Sequence, residues 1–544
     1  MQPTYDVEAF KSAFESQFTY LNGFMRHVLR DGDKPAVHCP LTGRTWTYAS
    51  LNAEANQLAH ALRGAGVGHG DVVMGVLMNS PEFVFAYIAC QKIGAVFAPA
   101  NFRLAAGEIA LLVDDCRPSA LLIDVEFRKV MEEARAVGHH VPNAVVSVDA
   151  ENTAEAPEGA VAYRDFVAGM PADNPKNDFT PSIYDESVRF FTSGTTNLPK
   201  AVPTNVLNTV LTAHDVMMHF PVTGRDVTMN LTPWFHRGGL DAGGPCPVLY
   251  AGASLVILRS FTPKLALQYV SQYKITFLIG VPTIVDMICR LKETTPCDIS
   301  SLKGIVLMGS PLDKEPCERY MRELTPNIFN GYGTTETFWN TFLRPWDLPA
   351  MAGSAGSPCT DDDVRVVPIL PEGRSDPDTF VPMDGTTVGE VVILAVAKST
   401  ATYFNNPEMT AAKFKDGWLY TGDLATWNER GFVTIIGRKD DMIVSCGENI
   451  YPVQIEGILN EHPKVEASLV LGVPDARRGS VVVALVKALD PSLTVRELRE
   501  YCKAHPMLSP YKRPRMFSIV DELPRNATGK LVHKLPEGIT FDNQ

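Results

Sequence analysis

The chain has 544 residues, too many for one compact core, so at least two domains are expected. Hydrophobic residues make up 45% and charged residues 20%, as in ordinary soluble globular proteins. The formal net charge of −13 argues against nucleic acid as the main partner, because no basic stripe is available to neutralise phosphates.

The cysteines and the apolar stretches indicate a cytoplasmic protein. The ten cysteines are scattered without a C-x-x-C pair, which predicts reduced, mostly buried thiols and neither a disulfide framework nor a metal centre. The first residues are charged and lack the apolar core of a signal peptide. The most apolar stretch, 83–100, contains Gln91, Lys92, Gly94 and Pro99, so it predicts a buried helix followed by a strand and no membrane span.

Apolar β-branched runs alternate with helical patterns through the first four-fifths of the chain. Strands are predicted at 71–77, 95–98, 276–279 and 304–308, and helices at 81–92 and 282–292. Near-continuous apolar strands separated by helices predict an α/β domain with layered, mainly parallel sheets covered on both faces.

The pattern changes from about Val388 to short strands and turns, at 389–394, 416–423 and 437–441, which predicts a small β-barrel-like subdomain. A compact α+β unit of about 100 residues follows. Its predicted elements are helices at 452–461 and 494–504 and strands at 467–472, 481–487 and 516–520; Thr494 and Glu497 form a capping box. We therefore predict an N-terminal domain at 1–439 and a C-terminal domain at 440–544.

A hydroxyl-rich loop, Thr192-Ser193-Gly194-Thr195-Thr196-Asn197-Leu198-Pro199-Lys200, directly follows an apolar strand. Backbone N–H groups and hydroxyls in such a loop suit an anion, Gly194 permits its close approach, and Lys200 adds a charge suited to phosphate. The lysine follows proline, so this is not a Walker loop. Alone, a hydroxyl-rich stretch of this kind is more commonly a solvated turn.

Three further segments have a composition typical of a binding site. Residues 330–337 are predicted to follow a strand; they place an aromatic ring between two glycines and include Glu336, a hard oxygen ligand suited to Mg²⁺. Asp423 stands at a turn where it could accept both hydroxyls of a ribose, and Lys530 stands on a turn near the C-terminus. Each segment singly is typical of a surface turn; their joint occurrence in this order is specific.

Together these motifs resemble the adenylate-forming superfamily, in particular the acyl-CoA synthetases, from Trp46 to Lys530. The resemblance implies an AMP-forming acid–CoA ligase: ATP and a carboxylate give acyl-AMP and pyrophosphate, and the thiol of coenzyme A then displaces AMP. It implies ATP, Mg²⁺ and coenzyme A as ligands and a small carboxylic acid as substrate. The sequence leaves the oligomeric state open, a homodimer included.

The resemblance also assigns roles to residues. It places the ATP β- and γ-phosphates on Thr192, Ser193, Gly194, Thr195, Thr196 and Lys200. It implies that adenine lies beside Gly309, Ser310, Pro311 and Tyr332, that the α-phosphate lies near Thr335, and that Gly331, Gly333 and Thr334 are further ATP- or AMP-binding residues. It also implies that Mg²⁺ binds Glu336 and that the ribose binds Asp423 and Arg438. Asp440 matches the family hinge. Lys530 would reach the acyl carboxylate and α-phosphate. A swing of the small domain would then bring Ser445, Cys446 and Gly447 to a thiol channel, with the coenzyme A nucleotide on Arg478, Tyr511 and Arg513. The last three residues could also be only a basic surface patch.

The acyl pocket is implied along Trp234, Phe235, His236 and Arg237, with Met308, Phe338 and Trp339 as further walls. His236 matches a gate beside the carboxylate, and the absence of an aspartate there argues against amino-acid substrates. Gly333 is expected to leave room for a large acyl group, which favours an aromatic, alicyclic or medium-chain acid. Arg237 is expected to form a structural salt bridge; the alternative is that it pairs with a second carboxylate on a dicarboxylic substrate.

Two other functions are compatible with the chain: a ligase that loads a separate carrier protein, and a catalytically silent adenylate-binding protein. The intact set of Lys530, Glu336, Asp423 and Arg438 argues against the silent protein. The acidic run at 361–363 is expected to be solvated.

Overall fold

The structure, a computed structural model, describes residues 4–151, 156–192, 199–370, 373–445, 448–475, 479–505, 508, 510, 512–525, 531–536 and 538–541. The chain divides into two compact units. The first unit comprises Met1–Val364 and Ile393–Leu419, and the second comprises Arg365–Val392 and Tyr420–Gln544. Every helix among the described residues is too short or too polar to cross a membrane.

The helices are, in chain order, α1 (Val7–Gln17), α2 (Tyr20–Arg30), α3 (Tyr48–Gly64), α4 (Pro81–Ile93), α5 (Ala106–Cys116), α6 (Arg128–Val137), α7 (Tyr163–Phe166), α8 (Val206–His219), α9 (Arg237–Asp241), α10 (Pro245–Tyr250), α11 (Pro263–Tyr273), α12 (Pro282–Thr294), α13 (Lys314–Glu323), α14 (Pro407–Lys413), α15 (Pro452–Asn460) and α16 (Val495–Ala504).

The strands are β1 (Pro35–Cys39), β2 (Arg44–Thr47), β3 (Val72–Val76), β4 (Val96–Pro99), β5 (Ala120–Asp124), β6 (Ala144–Val148), β7 (Val161–Ala162), β8 (Glu186–Thr192), β9 (Lys200–Asn205), β10 (Val227–Asn230), β11 (Ser254–Val256), β12 (Phe277–Gly280), β13 (Gly304–Met308), β14 (Ile328–Thr334), β15 (Phe338–Leu343), β16 (Ser357–Pro358), β17 (Asp363–Val367), β18 (Gly389–Leu394), β19 (Phe414–Lys415), β20 (Trp418–Trp427), β21 (Val433–Arg438), β22 (Ile443–Ser445), β23 (Glu448–Ile450), β24 (Val465–Asp475), β25 (Gly479–Ala488) and β26 (Met516–Val520).

Two mixed, mainly parallel sheets form the first unit. One has the order β16-β15-β14-β13-β12-β10-β11-β1-β2, and the other has the order β7-β6-β5-β3-β4-β8-β9. The strands β10, β12, β13 and β14 run parallel, whereas β15 returns antiparallel to β14 and β9 returns antiparallel to β8. All five residues of β3 and of β5 are buried, as expected of strands covered on both faces. The predicted α/β fold is confirmed.

Local sequence signals explain where the elements begin and end. Helix α4 begins after Ser80, whose side chain caps Phe83 N, with Pro81 in the first turn, and it ends at Gly94 with a φ of +67°. The predicted strands 304–308, 389–394 and 516–520 have the observed bounds. One placement was wrong: the glycine-flanked segment after Asn330 lies largely inside β14, rather than after a strand.

The second unit has a small sheet of β24, β25 and β26, with β25 at its centre, and the helices α15 and α16. Buried apolar residues such as Ile455, Val470 and Phe517 form its core. Thr494 Oγ1 accepts a hydrogen bond from Glu497 N at 3.2 Å, which defines the start of α16. A five-stranded sheet contains β17, β18, β19, β20 and β21. The predicted boundary at Asp440 lies within the second unit.

Candidate active site

The carboxyl ends of the parallel strands β10, β12, β13 and β14 meet at one edge of the larger sheet. Met308 and Gly331 are register partners, so the turn at Gly309 and the residue Tyr332 lie at this same edge. Gly309 has a φ of +82°, and Gly309, Ser310 and Pro311 are exposed after a buried strand. Open α/β sheets bind ligands beyond the carboxyl ends of their strands, so this edge is the candidate site.

The hydroxyl-rich loop joins β8 to β9, with Thr192 and Lys200 paired at its base. Ser193, Gly194, Thr195 and Thr196 lie outside the described residues. Lys200 Nζ lies 5.6 Å from the ring centroid of Tyr403, and the Tyr403 hydroxyl donates a 2.6 Å hydrogen bond to Glu336 Oε1. The base of the loop and the predicted Mg²⁺ ligand are therefore brought together through one tyrosine.

Glu336 stands in the tight turn between β14 and β15. The Thr334 and Thr337 hydroxyls lie 3.0 Å apart across this turn, and Phe338 has a φ of +60°. A left-handed conformation at a bulky residue is strained by about 1–3 kcal/mol, and such strain is concentrated at functional sites. The hairpin is therefore a locally strained element that its surroundings must hold in place.

Gly333 has a different role from the expected one. A Cβ atom added there would lie 1.6 Å from the Phe338 carbonyl oxygen, at the irregular register of β14 and β15. The space beside Gly333 is thus filled by backbone and is not open to an acyl group. The glycine is needed for the close approach of the two strands.

The donor set at the hairpin fits a divalent cation of the Mg²⁺ type. Glu336 is half-buried, and among the described residues only Tyr403 donates to its carboxylate, at Oε1. The other carboxylate oxygen, Oε2, is an acceptor of the hard type that Mg²⁺ prefers. One carboxylate together with substrate phosphates is the usual protein share of such a site.

His236 follows β10 and stands at the start of α9. Its ring centroid lies 4.2 Å from that of Phe235, which meets Phe102 edge-on at 5.0 Å. Burial, reinforced by the positive charge of Arg103, lowers the pKa of His236 to about 4, so the imidazole is neutral at physiological pH. A Cβ at Gly238 would lie 2.8 Å from Met308 Sδ, which places Met308 beside the turn after His236.

Arg237 forms the expected salt bridge, with Asp241 at 3.2 Å, and it is 4% exposed. Its Nη1 donates to the Thr335 carbonyl at 2.8 Å and its Nη2 donates to the Lys398 carbonyl at 2.6 Å. The guanidinium also lies over the ring of Phe338 at 5.6 Å. These partners make Arg237 a brace between the hairpin and the segment that contains Lys398.

The acidic run at 361–363 is not simply solvated, because the side chain of Asp362 is buried. Its carboxylate lies 2.7 Å from Lys398 Nζ, and Asp215 lies 3.2 Å from the same nitrogen. Lys398 also donates to the Trp339 carbonyl at 2.7 Å. The expectation of a solvated run was wrong because Lys398, distant in sequence, supplies the charge that lets Asp362 enter the interior.

The ligand atoms of Asp215, His219 and Cys359 lie within 4.8 Å of one another, close enough for a metal site. The ammonium of Lys398 already supplies positive charge beside Asp215, so we assign no metal to this group. Eight of the nine described cysteines are buried, as predicted, and Cys297 is partly exposed.

The expected aromatic walls are interior side chains. Trp234 is fully buried and meets Phe83 at 5.6 Å. Trp339 is 2% exposed, and its indole N–H donates to the Asp215 carboxylate. Phe338 is 4% exposed and lies 4.4 Å from Trp339. Their role as acyl-pocket walls stays a prediction.

In the second unit, Asp423 and Arg438 are register partners on β20 and β21. Arg438 Nη1 lies 2.5 Å from Asp423 Oδ1 and donates to the Thr421 carbonyl at 3.0 Å, and Arg438 Nη2 lies 3.9 Å from Asp440. The two residues expected to hold a ribose, together with the expected hinge residue, are therefore neighbours.

The residues expected at the thiol channel and the coenzyme A surface are only partly described. Ser445 Oγ donates to the Ser480 carbonyl at 2.6 Å, and Arg513 donates to the carbonyls of Leu508 and Lys503. The remaining site residues, Cys446, Gly447, Arg478, Tyr511 and Lys530, lie outside the described residues.

Sequence reasoning missed Tyr403 and Lys398. Both stand in a stretch, 396–404, without glycine clusters or paired carboxylates, and neither belongs to a recognisable local motif. The only available signal was a lysine and a tyrosine after the apolar strand β18, which is too common to be informative.

The fold and the site at the sheet edge indicate a nucleotide-binding enzyme of the α/β class. Comparisons with known proteins identify its family. Residues 24–396 match the family described as AMP-binding enzyme, and residues 454–530 match the AMP-binding enzyme C-terminal domain. The chain therefore belongs to the AMP-binding enzyme family, within its group of AMP-forming acid–CoA ligases.

Individual relatives cover almost the whole chain. The indoleacetate–CoA ligase of Aromatoleum aromaticum is 31% identical over 519 residues, covering 93% of this chain and 95% of the relative. A fatty acid–[acyl-carrier-protein] ligase of Streptomyces coeruleorubidus is 31% identical over 520 residues, covering 93% of this chain and 94% of the relative. The crystal structure of an anthranilate CoA ligase in complex with anthranoyl-AMP has a TM-score of 0.82 at 26% identity, covering 96% and 97%.

Proposed function

We propose that this protein activates a carboxylic acid with ATP as an acyl adenylate and then transfers the acyl group to coenzyme A. The observation that carries the proposal is the convergence of Lys200, Tyr403 and Glu336 beside the carboxyl edge of the large sheet. This arrangement joins a phosphate-type loop to a carboxylate ligand, as the first half-reaction requires.

In that half-reaction a carboxylate oxygen of the acid attacks the α-phosphorus of ATP, and pyrophosphate leaves. Negative charge gathers on the phosphates, so electrostatic stabilisation is the main demand on the protein. Lys200 and the hydroxyls of its loop hold the β- and γ-phosphates, Thr335 lies at the α-phosphate, and Lys530 reaches the reacting oxygens. Glu336 would hold Mg²⁺, which would add positive charge beside the phosphates.

In the second half-reaction the thiol attacks the acyl carbonyl and AMP leaves. The proposal assigns the ribose to Asp423 and Arg438, which are neighbours on paired strands. It makes Asp440 the hinge of a C-terminal domain movement that withdraws Lys530 and presents Ser445, Cys446 and Gly447 to the thiol. Arg478, Tyr511 and Arg513 hold the coenzyme A nucleotide. The location is proposed to be cytoplasmic, which the free cysteines support.

The proposed acid is aromatic, alicyclic or medium-chain. Phe102, Phe235 and the neutral ring of His236 form a contiguous aromatic cluster near Met308, which suits an apolar acyl group. The neutral imidazole of His236 can donate a hydrogen bond without adding a charge. Relatives named for indoleacetate and anthranilate have ring-containing acids as substrates.

A second candidate function is transfer of the acyl group to a separate carrier protein. The similarity to a fatty acid–[acyl-carrier-protein] ligase favours it at the same level of identity as the indoleacetate relative. The first half-reaction is the same in both cases, so only the acceptor separates them.

Pyrophosphate release with ATP, Mg²⁺ and a panel of acids, with and without coenzyme A, tests the proposal. The panel contains acetate, octanoate, palmitate, benzoate, indoleacetate, cyclohexanecarboxylate and succinate. Release that depends on coenzyme A and peaks on ring or medium-chain acids is expected. Acid-dependent release that ignores coenzyme A would favour a carrier protein, and the absence of release with every acid would contradict the proposal.

A further inference from the structure

Tyr403 lies between Lys200, at the base of the hydroxyl-rich loop, and Glu336, and no local sequence motif indicates this position. It is 4% exposed, and its ring meets Phe414 at 5.8 Å. Its hydroxyl donates to Glu336 Oε1 at 2.6 Å, and Lys200 Nζ lies 5.6 Å from its ring centroid. A hydrogen bond from a phenol to a carboxylate at this distance is of the strong, charge-assisted type.

The segment that contains Tyr403 is itself fastened to the body of the first unit. Thr400 Oγ1 donates to the Pro203 carbonyl at 2.8 Å, and Phe404 N donates to the Ala201 carbonyl at 2.9 Å. The guanidinium of Arg189 lies 3.5 Å from the ring centroid of Phe404. The backbone on both sides of Tyr403 is thus fixed against β9.

The same segment is joined to the hairpin that contains Glu336. Lys398 Nζ donates to the Trp339 carbonyl, directly after the strained Phe338. Arg237 donates hydrogen bonds both to the Thr335 carbonyl in the hairpin and to the Lys398 carbonyl in the segment that contains Tyr403. The Tyr403 hydroxyl is therefore a donor of fixed position beside the Glu336 carboxylate. The turn that contains Glu336 is held by contacts with the same segment that contains Tyr403.

This geometry has a consequence for metal binding. A glutamate side chain has three rotatable bonds, and a bond from a fixed donor to one carboxylate oxygen restricts the direction in which the other oxygen points. Groups that orient a metal ligand in this way typically change metal affinity by about 10–100-fold when removed.

We propose that Tyr403 is a positioning residue for the metal ligand Glu336, an inference that rests on the proposed function. The Tyr403 hydroxyl holds the Glu336 carboxylate so that its other oxygen, Oε2, faces the cation that accompanies ATP. The residue does not touch substrate and transfers no proton. Its ring packs on Phe414, and this packing places the hydroxyl.

The test is Tyr403→Phe, which keeps the ring and removes one hydroxyl. Tyr320→Phe is the matched control, because Tyr320 is 1% exposed and its hydroxyl donates to the Pro282 carbonyl at 3.1 Å and to Asp286 at 3.4 Å, and not to Glu336. Mn²⁺ binding in the presence of α,β-methylene-ATP is followed by the electron paramagnetic resonance signal of free Mn²⁺. Tyr403→Phe is expected to weaken Mn²⁺ binding by about 10-fold, and Tyr320→Phe is expected to leave it unchanged.

A thermodynamic cycle with Glu336→Gln separates positioning from general damage. If Tyr403 acts through Glu336, Tyr403→Phe has no further effect on Mn²⁺ affinity once Glu336 is glutamine. An equal loss of affinity in both backgrounds, or no loss in either, would overturn the inference. In steady-state assays the Tyr403→Phe enzyme should need more Mg²⁺ while its KM for the acid stays that of the wild type.

Different results would overturn the positioning role of Tyr403 and the proposed function. A wild-type enzyme that releases pyrophosphate with an acid, paired with a Tyr403→Phe variant of unchanged Mn²⁺ affinity, overturns the positioning role and leaves the proposed function standing. A wild-type enzyme that neither binds Mn²⁺ with the nucleotide analogue nor releases pyrophosphate overturns both.

Discussion

Replacement of Lys398 by methionine should destabilise the first unit strongly. The ammonium is completely buried and lies 2.7 Å from Asp362 and 3.2 Å from Asp215, both also buried. Methionine has a similar shape and no charge, so the change leaves two carboxylates in the interior without a cation. Removal of one partner from a buried ion pair costs about 3–5 kcal/mol, and we expect a loss in that range.

A second substitution tests whether the loss comes from uncompensated charge. Lys398→Met combined with Asp362→Asn removes one positive and one negative charge, and Asn340 can still contact the amide that replaces the carboxylate. The double variant should recover about 1–3 kcal/mol relative to the sum of the two single changes. Additivity within about 0.5 kcal/mol would refute the reasoning, because it would mean that the charges do not interact.

Urea unfolding followed by tryptophan fluorescence is the assay. Five of the six tryptophans (Trp46, Trp234, Trp339, Trp346 and Trp418) lie in the first unit, so the signal reports mainly on it. A chain of two units can unfold in more than one step, and only the transition reported by these tryptophans is analysed.

The same cluster should make stability depend on pH. Burial, opposed by the nearby Lys398, raises the pKa of Asp362 to about 6. A carboxyl whose folded pKa lies above its unfolded value of about 3.9 stabilises the fold at low pH, and this contribution is lost as the pH rises through 6. We expect the stability of the wild type relative to Asp362→Asn to fall by about 2 kcal/mol between pH 4 and pH 7. Parallel pH profiles would contradict the burial of this carboxylate.

Three further variants address other parts of the site. Lys530→Ala should abolish adenylate formation and spare thioester formation from supplied acyl-AMP; an equal loss of both half-reactions would contradict the proposed division of labour. Gly333→Ala should destabilise the hairpin by about 1–3 kcal/mol and reduce activity. Gly107→Ala is the control, because no atom lies within 4 Å of the added carbon, and it should neither destabilise the protein nor reduce activity. Urea unfolding and activity assays measure the two effects. Arg237→Leu should lower stability without changing the order of preference among mono- and dicarboxylic acids; a changed order would show contact between Arg237 and substrate.

The fold could be predicted to a large extent because its signals are local. Helix α4 is marked by a capping serine, a proline in the first turn and a closing glycine, all within one stretch of chain. Strand β13 is a short apolar run whose bounds are set by its own residues. The residue types of the hydroxyl-rich loop and of Glu336 are also local signals, and the phosphate and Mg²⁺ roles that they indicate stay predictions.

The support of the site could not be predicted, because it depends on contacts between distant residues. No residue near Asp362 in the sequence indicates that it forms a buried ion pair with Lys398, and an acidic run is by itself typical of a solvated surface. The hydrogen bond from Tyr403 to Glu336 likewise joins two residues that are 67 positions apart in the sequence. Gly333 was assigned to pocket space since its true neighbour, the Phe338 carbonyl, comes from the following strand.

Direct detection of the acyl adenylate tests the central claim. The enzyme is mixed with ATP, Mg²⁺ and the best acid of the panel, first without coenzyme A, and the quenched mixture is analysed by mass spectrometry. The account predicts an acyl-AMP in amounts comparable to the enzyme, converted to acyl-CoA and AMP once coenzyme A is added. Formation of ADP and phosphate, or of acyl-CoA with no adenylate before it, would contradict the account.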